Sequence, residues 1–150
     1  MHAKSSIFTK VLALILAVIF ICPMNTSAIE PRASAYLTSY NAYPYAPGNG
    51  TIQIWFNVVA DDYFANVGSL SIEIYKCSTN STNINDWSFV TSFNNGNTPS
   101  MLGHNVDYYS GHVQCSATKG MWYKAYVCIY AGSDTAGDTR YFWTSAAKAT

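Results

Sequence analysis

The sequence has few charged residues. Lys, Arg, Asp and Glu together make up 11% of its 150 residues, whereas aromatic residues make up 15%. After residue 28 there are eight acidic and six basic residues, a net charge of −2, and the basic ones form no cluster. Binding to nucleic acid or to anionic lipid depends on clustered Lys and Arg. Neither partner is therefore predicted, and the surface must consist largely of Ser, Thr, Asn, Gln and Tyr.

No apolar run is long enough to form a stable membrane anchor. The longest, from Val11 to Cys22, has 12 residues, whereas a spanning helix needs about 20. Two lysines precede the run, and Thr26-Ser-Ala28 follows it. A basic start, a short apolar centre and small residues before the cleavage point are typical of a secretory signal peptide. We therefore predict a signal peptide over residues 1–28, a secreted domain over residues 29–150, and no membrane anchor after cleavage.

Motifs of known catalytic and metal sites are also missing. There is no Gly-x-Ser-x-Gly, no phosphate-binding glycine loop, and no Cys-x-x-Cys or His-x-x-x-His spacing. His112 and Cys115 are three residues apart on a predicted strand and therefore point to opposite faces. His104 falls in a predicted loop with no accompanying motif. We therefore predict no catalytic residue, no metal site, no cofactor and no enzymatic activity.

The sequence does contain a long alternating segment at residues 120–130. One face would carry Met121, Tyr123, Ala125, Val127 and Ile129, and the other Trp122, Lys124, Tyr126, Cys128 and Tyr130. A period of two over this length predicts a β-strand with one face in a core. We expect it to be the central strand of the domain.

Other segments predict shorter strands separated by turn residues. They are residues 35–40, 51–59, 69–77, 87–93, 111–117 and 138–145, with a short addition at 106–109. We expect Ile52, Ile54, Phe56 and Val58 to face the core with Leu70, Ile72 and Ile74, and Trp55 to face outward. We expect the first strand at an edge of its sheet, where proline is tolerated, and Pro44 and Pro47 should end its pairing. About seven short strands without helical periodicity predict an all-β fold, a single immunoglobulin-like β-sandwich.

One motif supports this fold by resemblance. Gly120-x-x-Tyr123-x-Ala125-x-Val127 resembles the start of strand F in immunoglobulin-like and fibronectin-type sandwiches. In those domains a tyrosine at the corner between strands E and F hydrogen-bonds back to the chain. The resemblance implies that role for Tyr123. Ala125 stands where antibody domains have a disulfide cysteine, so an antibody-type domain is not implied.

Three longer stretches resemble a family of short secreted proteins of unknown function from Gram-positive gut bacteria. They are Arg32-Ala-Ser-Ala-Tyr-Leu37, Val67-Gly-Ser-Leu-Ser-Ile-Glu-Ile-Tyr75 and Tyr123-Lys-Ala-Tyr-Val-Cys-Ile-Tyr-Ala131. The resemblance covers most of the predicted mature chain. It implies a secreted sandwich and transfers no catalytic residue.

The predicted mature chain has three cysteines, Cys77, Cys115 and Cys128. Cys77 and Cys128 should face outward on two strands that are neighbours in an immunoglobulin-like layout. A Cys77–Cys128 disulfide is possible if the two residues lie opposite each other. It would leave Cys115 as a buried free thiol. The alternative is three free thiols.

Outward-facing aromatic residues are the remaining functional signal. Tyr75, Trp122, Tyr126 and Tyr130 are predicted to form an aromatic face, and Trp55 belongs to it only if it lies on the same sheet. Such rings can anchor a protein or stack on sugars, and they can also simply stabilise a sheet. We predict a non-enzymatic binding module, with a glycan or a cell-surface protein as the partner classes. Carbohydrate binding by this face is one alternative, and a secreted hydrolase or toxin with an unrecognised site is another.

Overall fold

Nine antiparallel strands form two sheets. The computed structural model describes residues 35–150, so the predicted signal peptide, residues 1–28, lies outside the described residues. The strands are β1 (Leu37–Gly48), β2 (Thr51–Phe64), β3 (Asn66–Cys77), β4 (Ser88–Asn94), β5 (Leu102–Gly103), β6 (Val106–Ser116), β7 (Trp122–Gly132), β8 (Gly137–Trp143) and β9 (Ala147–Lys148). Short 3-10 turns span Ile84–Asp86 and Pro99–Met101. Within residues 35–150, no helix is long and apolar enough to cross a membrane.

The strand order is that of an immunoglobulin-like sandwich. The smaller sheet has the order β1-β2-β6, and the larger has β4-β3-β7-β8, with β5 paired to β3 and β9 to β7. Thus β1, β2 and β6 occupy the positions of strands A, B and E, and β3, β7 and β8 those of C, F and G. β5 and β9 have two residues each, so seven longer strands build the sandwich. The predicted all-β sandwich is confirmed, and β7 is central to its sheet.

The core lies between the inner faces of the two sheets. From β2 it contains Ile52, Ile54, Phe56 and Val58, all fully buried as predicted. The alternate residues of β7 meet them from the larger sheet: Tyr123, Ala125, Val127, Ile129 and Ala131. Apolar burial is the main favourable term in folding, and here the alternation of both strands supplies it.

Tyr123 pins the connection between β6 and β7. Its ring is buried, and its hydroxyl oxygen accepts a hydrogen bond from the backbone N–H of Thr118 at 2.7 Å. Thr118 lies five residues upstream, in the loop that carries the chain from the smaller sheet to the larger one. This backward contact at the crossover is the geometry of a tyrosine corner.

The prediction that Pro44 and Pro47 end the first strand is wrong. β1 continues through both prolines to Gly48 and pairs with β2 along this length, with Pro44 opposite Ile54. Since β1 is an edge strand, a residue without an N–H can face away from its only partner. The hairpin then closes at Asn49 and Gly50, whose φ values of 59° and 65° suit a tight two-residue turn.

The predicted connection at residues 60–68 is almost entirely strand. β2 reaches Phe64 and β3 begins at Asn66, so only Ala65 separates them. The chain changes sheets at this point, because β2 pairs in the smaller sheet and β3 in the larger. The polar Asp61-Asp62 pair suggested a loop, but both residues lie exposed at the end of β2.

A bulge in β3 reverses the expected facing of Leu70. The register against β7 shifts between Ser69 and Ser71, which leaves Leu70 as the extra residue. Ser69 is therefore the buried residue, and its hydroxyl donates to the backbone oxygen of Cys128 at 2.9 Å. After the bulge, Ile72 and Ile74 face the core as predicted.

Residues 94–116 are more ordered than expected. The predicted loop contains a 3-10 turn that buries Met101 completely, followed by β5. Beyond it, the two predicted strands at 106–109 and 111–117 are one strand, β6. Gly111 lies within this strand and does not end it. The residue has to be small here, because a Cβ at this position would lie 2.7 Å from Cζ of the Phe56 ring.

Candidate binding surface

The outer face of the larger sheet carries a continuous group of aromatic rings, here called the aromatic face. It consists of Tyr75 on β3, Phe89 on β4, Tyr126 on β7, and Tyr141 and Trp143 on β8. Alternation along each strand turns these side chains away from the core. Pairing then makes them neighbours, since Phe89 lies opposite Tyr75 and Trp143 lies opposite Tyr126.

The rings contact one another in an unbroken series. Their centroids are 5.7 Å apart from Phe89 to Tyr75, 5.1 Å from Tyr75 to Trp143, 5.0 Å from Trp143 to Tyr126, and 5.9 Å from Tyr126 to Tyr141. The two contacts of Tyr75 are edge-to-face. Such pairs contribute about 0.5–1.5 kcal/mol each beyond the area they bury. The series therefore stabilises β3, β4, β7 and β8, the four long strands of the larger sheet.

Much of this aromatic surface nevertheless remains open to solvent. Phe89 is 57% exposed, Tyr141 61% and Trp143 39%. An isolated exposed aromatic residue is unremarkable, but a contiguous exposed apolar patch is characteristic of an interaction site. Stabilising the sheet does not require the two ends of the series to be this exposed.

Two charged groups lie among the rings. The Lys124 ammonium is 4.3 Å from the centroid of the Trp87 ring and 4.8 Å from that of Trp143. This position is a cation–π site, and desolvation lowers the pKa of the ammonium group. Glu73 accepts a hydrogen bond from the Tyr75 hydroxyl at 2.7 Å, and this bond raises the pKa of Tyr75.

The structure brings together two of the four residues predicted for this face. Tyr75 and Tyr126 belong to the series, joined by Trp143. Trp122 lies on the same side but at one end of β7, opposite Cys77. Tyr130 lies toward the other end, where its hydroxyl donates to the backbone oxygen of Ser133 at 2.6 Å. Within residues 35–150, neither Trp122 nor Tyr130 makes a ring contact with the aromatic face.

Sequence reasoning missed Phe89, Tyr141 and Trp143. Alternation already put Tyr141 and Trp143 on one side of the last strand. Strand G adjoins strand F in an immunoglobulin-like sheet, so these residues were predictable as neighbours of Tyr126. Phe89 was not predictable, because Trp87, Phe89, Val90 and Phe93 lie too close together for alternation to decide which of them faces the core.

The hypothetical Cys77–Cys128 disulfide is wrong, and the three cysteines within residues 35–150 are free. Cys77 and Cys128 do face outward on paired strands. However, Cys77 lies opposite Trp122 and Cys128 lies opposite Ser71. The two are therefore about six residues apart along the strands, or about 20 Å. A disulfide needs Cα atoms within about 7 Å.

The three thiols have different environments. The backbone N–H of Thr79 hydrogen-bonds to the sulfur of Cys77 and lowers the pKa of that thiol. Burial raises the pKa of Cys115 and of Cys128. Cys77 is therefore the thiol with the greatest thiolate fraction at neutral pH, although it is largely buried at the end of β3.

The residues considered for catalysis are not assembled. Cys115 packs toward the core, whereas His112 is exposed on the opposite face of β6. His104 lies in the loop before β6, where its Nδ1 is 3.2 Å from the backbone oxygen of Ala65. In the part of the chain that the structure describes, no group of three or more His, Cys, Asp or Glu side chains could hold a metal ion.

No protein-family model matches the chain, and no curated protein matches it either. The resemblance to secreted proteins of gut bacteria therefore stays a prediction.

Proposed function

We propose that this protein is an exported, non-enzymatic binding module that holds a protein partner on its aromatic face. The observation that carries the proposal is the unbroken series of five rings across four strands, with its outer members more than half exposed. Trp and Tyr dominate the energetics of protein interfaces, because they bury a large area with few rotatable bonds.

The orientation of the rings favours a protein over a glycan at this surface. A sugar stacks on an open, flat ring, whereas Tyr75 meets both of its neighbours edge-to-face. The Lys124 ammonium also covers part of one face of the Trp143 indole. An uneven apolar surface that includes one cation and the Glu73 carboxylate suits a partner with shaped side chains and complementary charge.

The proposal is tested by retention of the purified protein on intact bacterial and epithelial cells. We compare the original protein with a Phe89→Ser, Tyr141→Ser double variant, which removes the two most exposed rings of the face. The matched control is Tyr63→Ser, because Tyr63 is also strongly exposed but lies at the end of β2, outside the aromatic face.

We expect the double variant to lose about tenfold or more in retention, as is typical when an aromatic anchor is removed. The control should bind as the original protein does. Protease treatment of the cells should abolish binding if the partner is a protein. Retention that is unchanged in the double variant would show that the aromatic face is not the contact surface.

A further inference from the structure

A second surface with a different character lies on the outer face of the smaller sheet. Here we call it the neutral face. Three neighbouring rows, each crossing β1, β2 and β6, place nine side chains on it: Asn41, Asn57 and Ser110; Tyr43, Trp55 and His112; Tyr45, Gln53 and Gln114. With standard strand spacing and rise, this grid measures about 10 Å by about 13 Å.

The rings of the neutral face form a pocket. Tyr43, Tyr45 and Trp55 line a recess of about 250 Å³ at the surface. Tyr43 is 41% exposed and Tyr45 is 51% exposed. Unlike the rings of the aromatic face, these three form no ring contacts with one another, and the space between them is open.

The Trp55 indole is held in place before any ligand arrives. One of its sides stacks on the His112 imidazole, with centroids 4.4 Å apart and planes 23° apart. Its Nε1–H donates to the Gln53 side-chain oxygen at 2.9 Å. Fixing a ring by two contacts reduces the entropy that binding would otherwise cost. The side of the indole away from His112 is available to a ligand.

Polar groups surround this ring in positions to contact a ligand. Gln53 Nε2 donates to the Gln114 side-chain oxygen at 2.8 Å, which orients the second amide. The Nε2 group of Gln114 and the hydroxyls of Tyr43 and Tyr45 have no hydrogen-bond partner among residues 35–150. The neutral face therefore offers two hydroxyls and one amide donor beside an apolar recess.

The charge of this surface restricts its ligand class. None of the nine positions is Asp, Glu, Lys or Arg, so an ionic ligand would lose hydration without gaining an ion pair. An apolar ligand would leave the hydroxyl and amide groups unused. A neutral sugar matches both properties, because its C–H face can stack on an aromatic ring while its hydroxyls hydrogen-bond at the rim.

We propose that the neutral face is a binding site for one or two residues of a neutral saccharide, with the sugar ring against Trp55 between Tyr43 and Tyr45. The tyrosine hydroxyls hydrogen-bond to the hydroxyls of this sugar, and Gln114, on the far strand β6, hydrogen-bonds to the second sugar residue. This site is distinct from the aromatic face and does not depend on the function proposed for it.

The test uses insoluble cellulose, chitin, starch and xylan, together with soluble hexasaccharides of the same sugars. Depletion of the protein from solution measures retention, and NMR follows the Trp55 indole N–H during titration with each hexasaccharide. We expect retention on at least one polysaccharide and a shift of this N–H with the matching hexasaccharide. If none of the four polysaccharides retains the protein and none of the hexasaccharides shifts the Trp55 N–H signal, the proposal fails.

Variants locate the site. Trp55→Ala should reduce retention about tenfold or more, as expected for loss of an aromatic anchor. Trp143→Ala, a matched change on the other sheet, should leave it unchanged. Because Trp55→Ala could disturb folding, Gln114→Ala provides a second probe: this exposed residue is not part of the core, and its removal should weaken retention several-fold.

The remaining outcomes are also decisive. Retention lost in Trp143→Ala but kept in Trp55→Ala would place sugar binding on the aromatic face and overturn this assignment. Binding restricted to acidic polysaccharides such as polygalacturonate would contradict the argument from charge. Failure of the saccharide site leaves the cell-retention result for Phe89 and Tyr141 unaffected, so the two proposals can fail separately.

Discussion

At the residue scale, the Tyr123 hydroxyl makes a hydrogen bond that stabilises the crossover between the two sheets. It accepts from the N–H of Thr118 in the loop where the chain passes from one sheet to the other. Tyr123→Phe keeps the buried ring and removes only this acceptor. We expect the free energy of unfolding to fall by about 1 kcal/mol, the typical net value of such a bond. Urea denaturation followed by circular dichroism measures the change.

Tyr63→Phe is the control for that measurement. Tyr63 is exposed, and its hydroxyl has no hydrogen-bond partner among residues 35–150. Its loss should change stability by less than about 0.5 kcal/mol, as for most surface substitutions. Equal effects of the two variants would mean that the Tyr123 contact does not stabilise the crossover.

Cys77 should react with alkylating agents at lower pH than an ordinary cysteine. The Thr79 N–H hydrogen bond lowers the pKa of its thiol, so a larger fraction is thiolate at any given pH. In a Cys115→Ala, Cys128→Ala variant only this thiol remains within residues 35–150. The pH at which the rate of iodoacetamide alkylation reaches half its maximum should lie below about 8.5, the typical pKa of free cysteine.

The unfolded form of the same variant, measured in urea, provides the reference for that reaction. Burial of Cys77 slows reaction at every pH, so the midpoint of the profile is the informative quantity rather than the rate itself. A midpoint in the folded protein equal to or above that in urea would contradict the role assigned to Thr79.

At the scale of elements, Gly111 allows β6 to lie against β2. A Cβ at this position would be 2.7 Å from the Phe56 ring, and the ring is completely buried. Gly111→Ala should therefore destabilise the protein by about 1–3 kcal/mol, the usual range for overpacking a core. Thermal unfolding measures this as a lower melting temperature.

Gly96→Ala is a suitable comparison for the Gly111 change. Gly96 lies in the loop after β4, and the nearest atom to an added Cβ is the Asn94 side-chain oxygen at 3.1 Å, which can move at the cost of only one exposed hydrogen bond, from the Asn97 N–H. We expect little change in its melting temperature. If Gly111→Ala were as stable as Gly96→Ala, the close approach to Phe56 would not restrict position 111 to glycine.

The elements that could be predicted are those whose side chains alternate without interruption. β2 and β7 met this condition, and the residues predicted to face the core do so, although Cys128 on the outer side of β7 is buried as well. β3 did not, because the bulge at Leu70 changes the facing, and Gly68 two residues earlier does not by itself show where that change falls. β1 was expected at an edge but was cut short, because its pairing past the prolines depends on its register against β2, which the segment itself does not show.

The candidate surfaces were predictable to a smaller extent, because each is built from several strands. Alternation correctly turned Tyr75, Tyr126 and Trp55 outward. It could not show that Trp143 joins Tyr75 to Tyr126, or that Tyr43 and Tyr45 flank Trp55. The first depends on β8 pairing with β7, and the second depends on β1 continuing past Pro44.

At the scale of the whole molecule, the two surfaces lie on opposite sides of the sandwich. The neutral face is the outer side of the smaller sheet, and the aromatic face is the outer side of the larger one. Packed sheets are about 10 Å apart, with close-packed side chains between them. Trp55 and Trp143 therefore share no contact, and the two proposed ligands would not compete for the same surface.

This separation predicts that the two tryptophans act independently. In a double-mutant cycle, the unfolding free energies lost in Trp55→Ala and in Trp143→Ala should add to within about 0.5 kcal/mol in the double variant. A larger coupling would mean that strain passes from one face to the other through the core. Binding should be independent as well. For a hexasaccharide that binds the original protein, the affinity of Trp143→Ala should stay within about twofold of the original value. A tenfold change would require a loss of about 1.4 kcal/mol in binding free energy. A tenfold loss in this variant, with its fold intact by circular dichroism, would show that the two faces form one coupled surface.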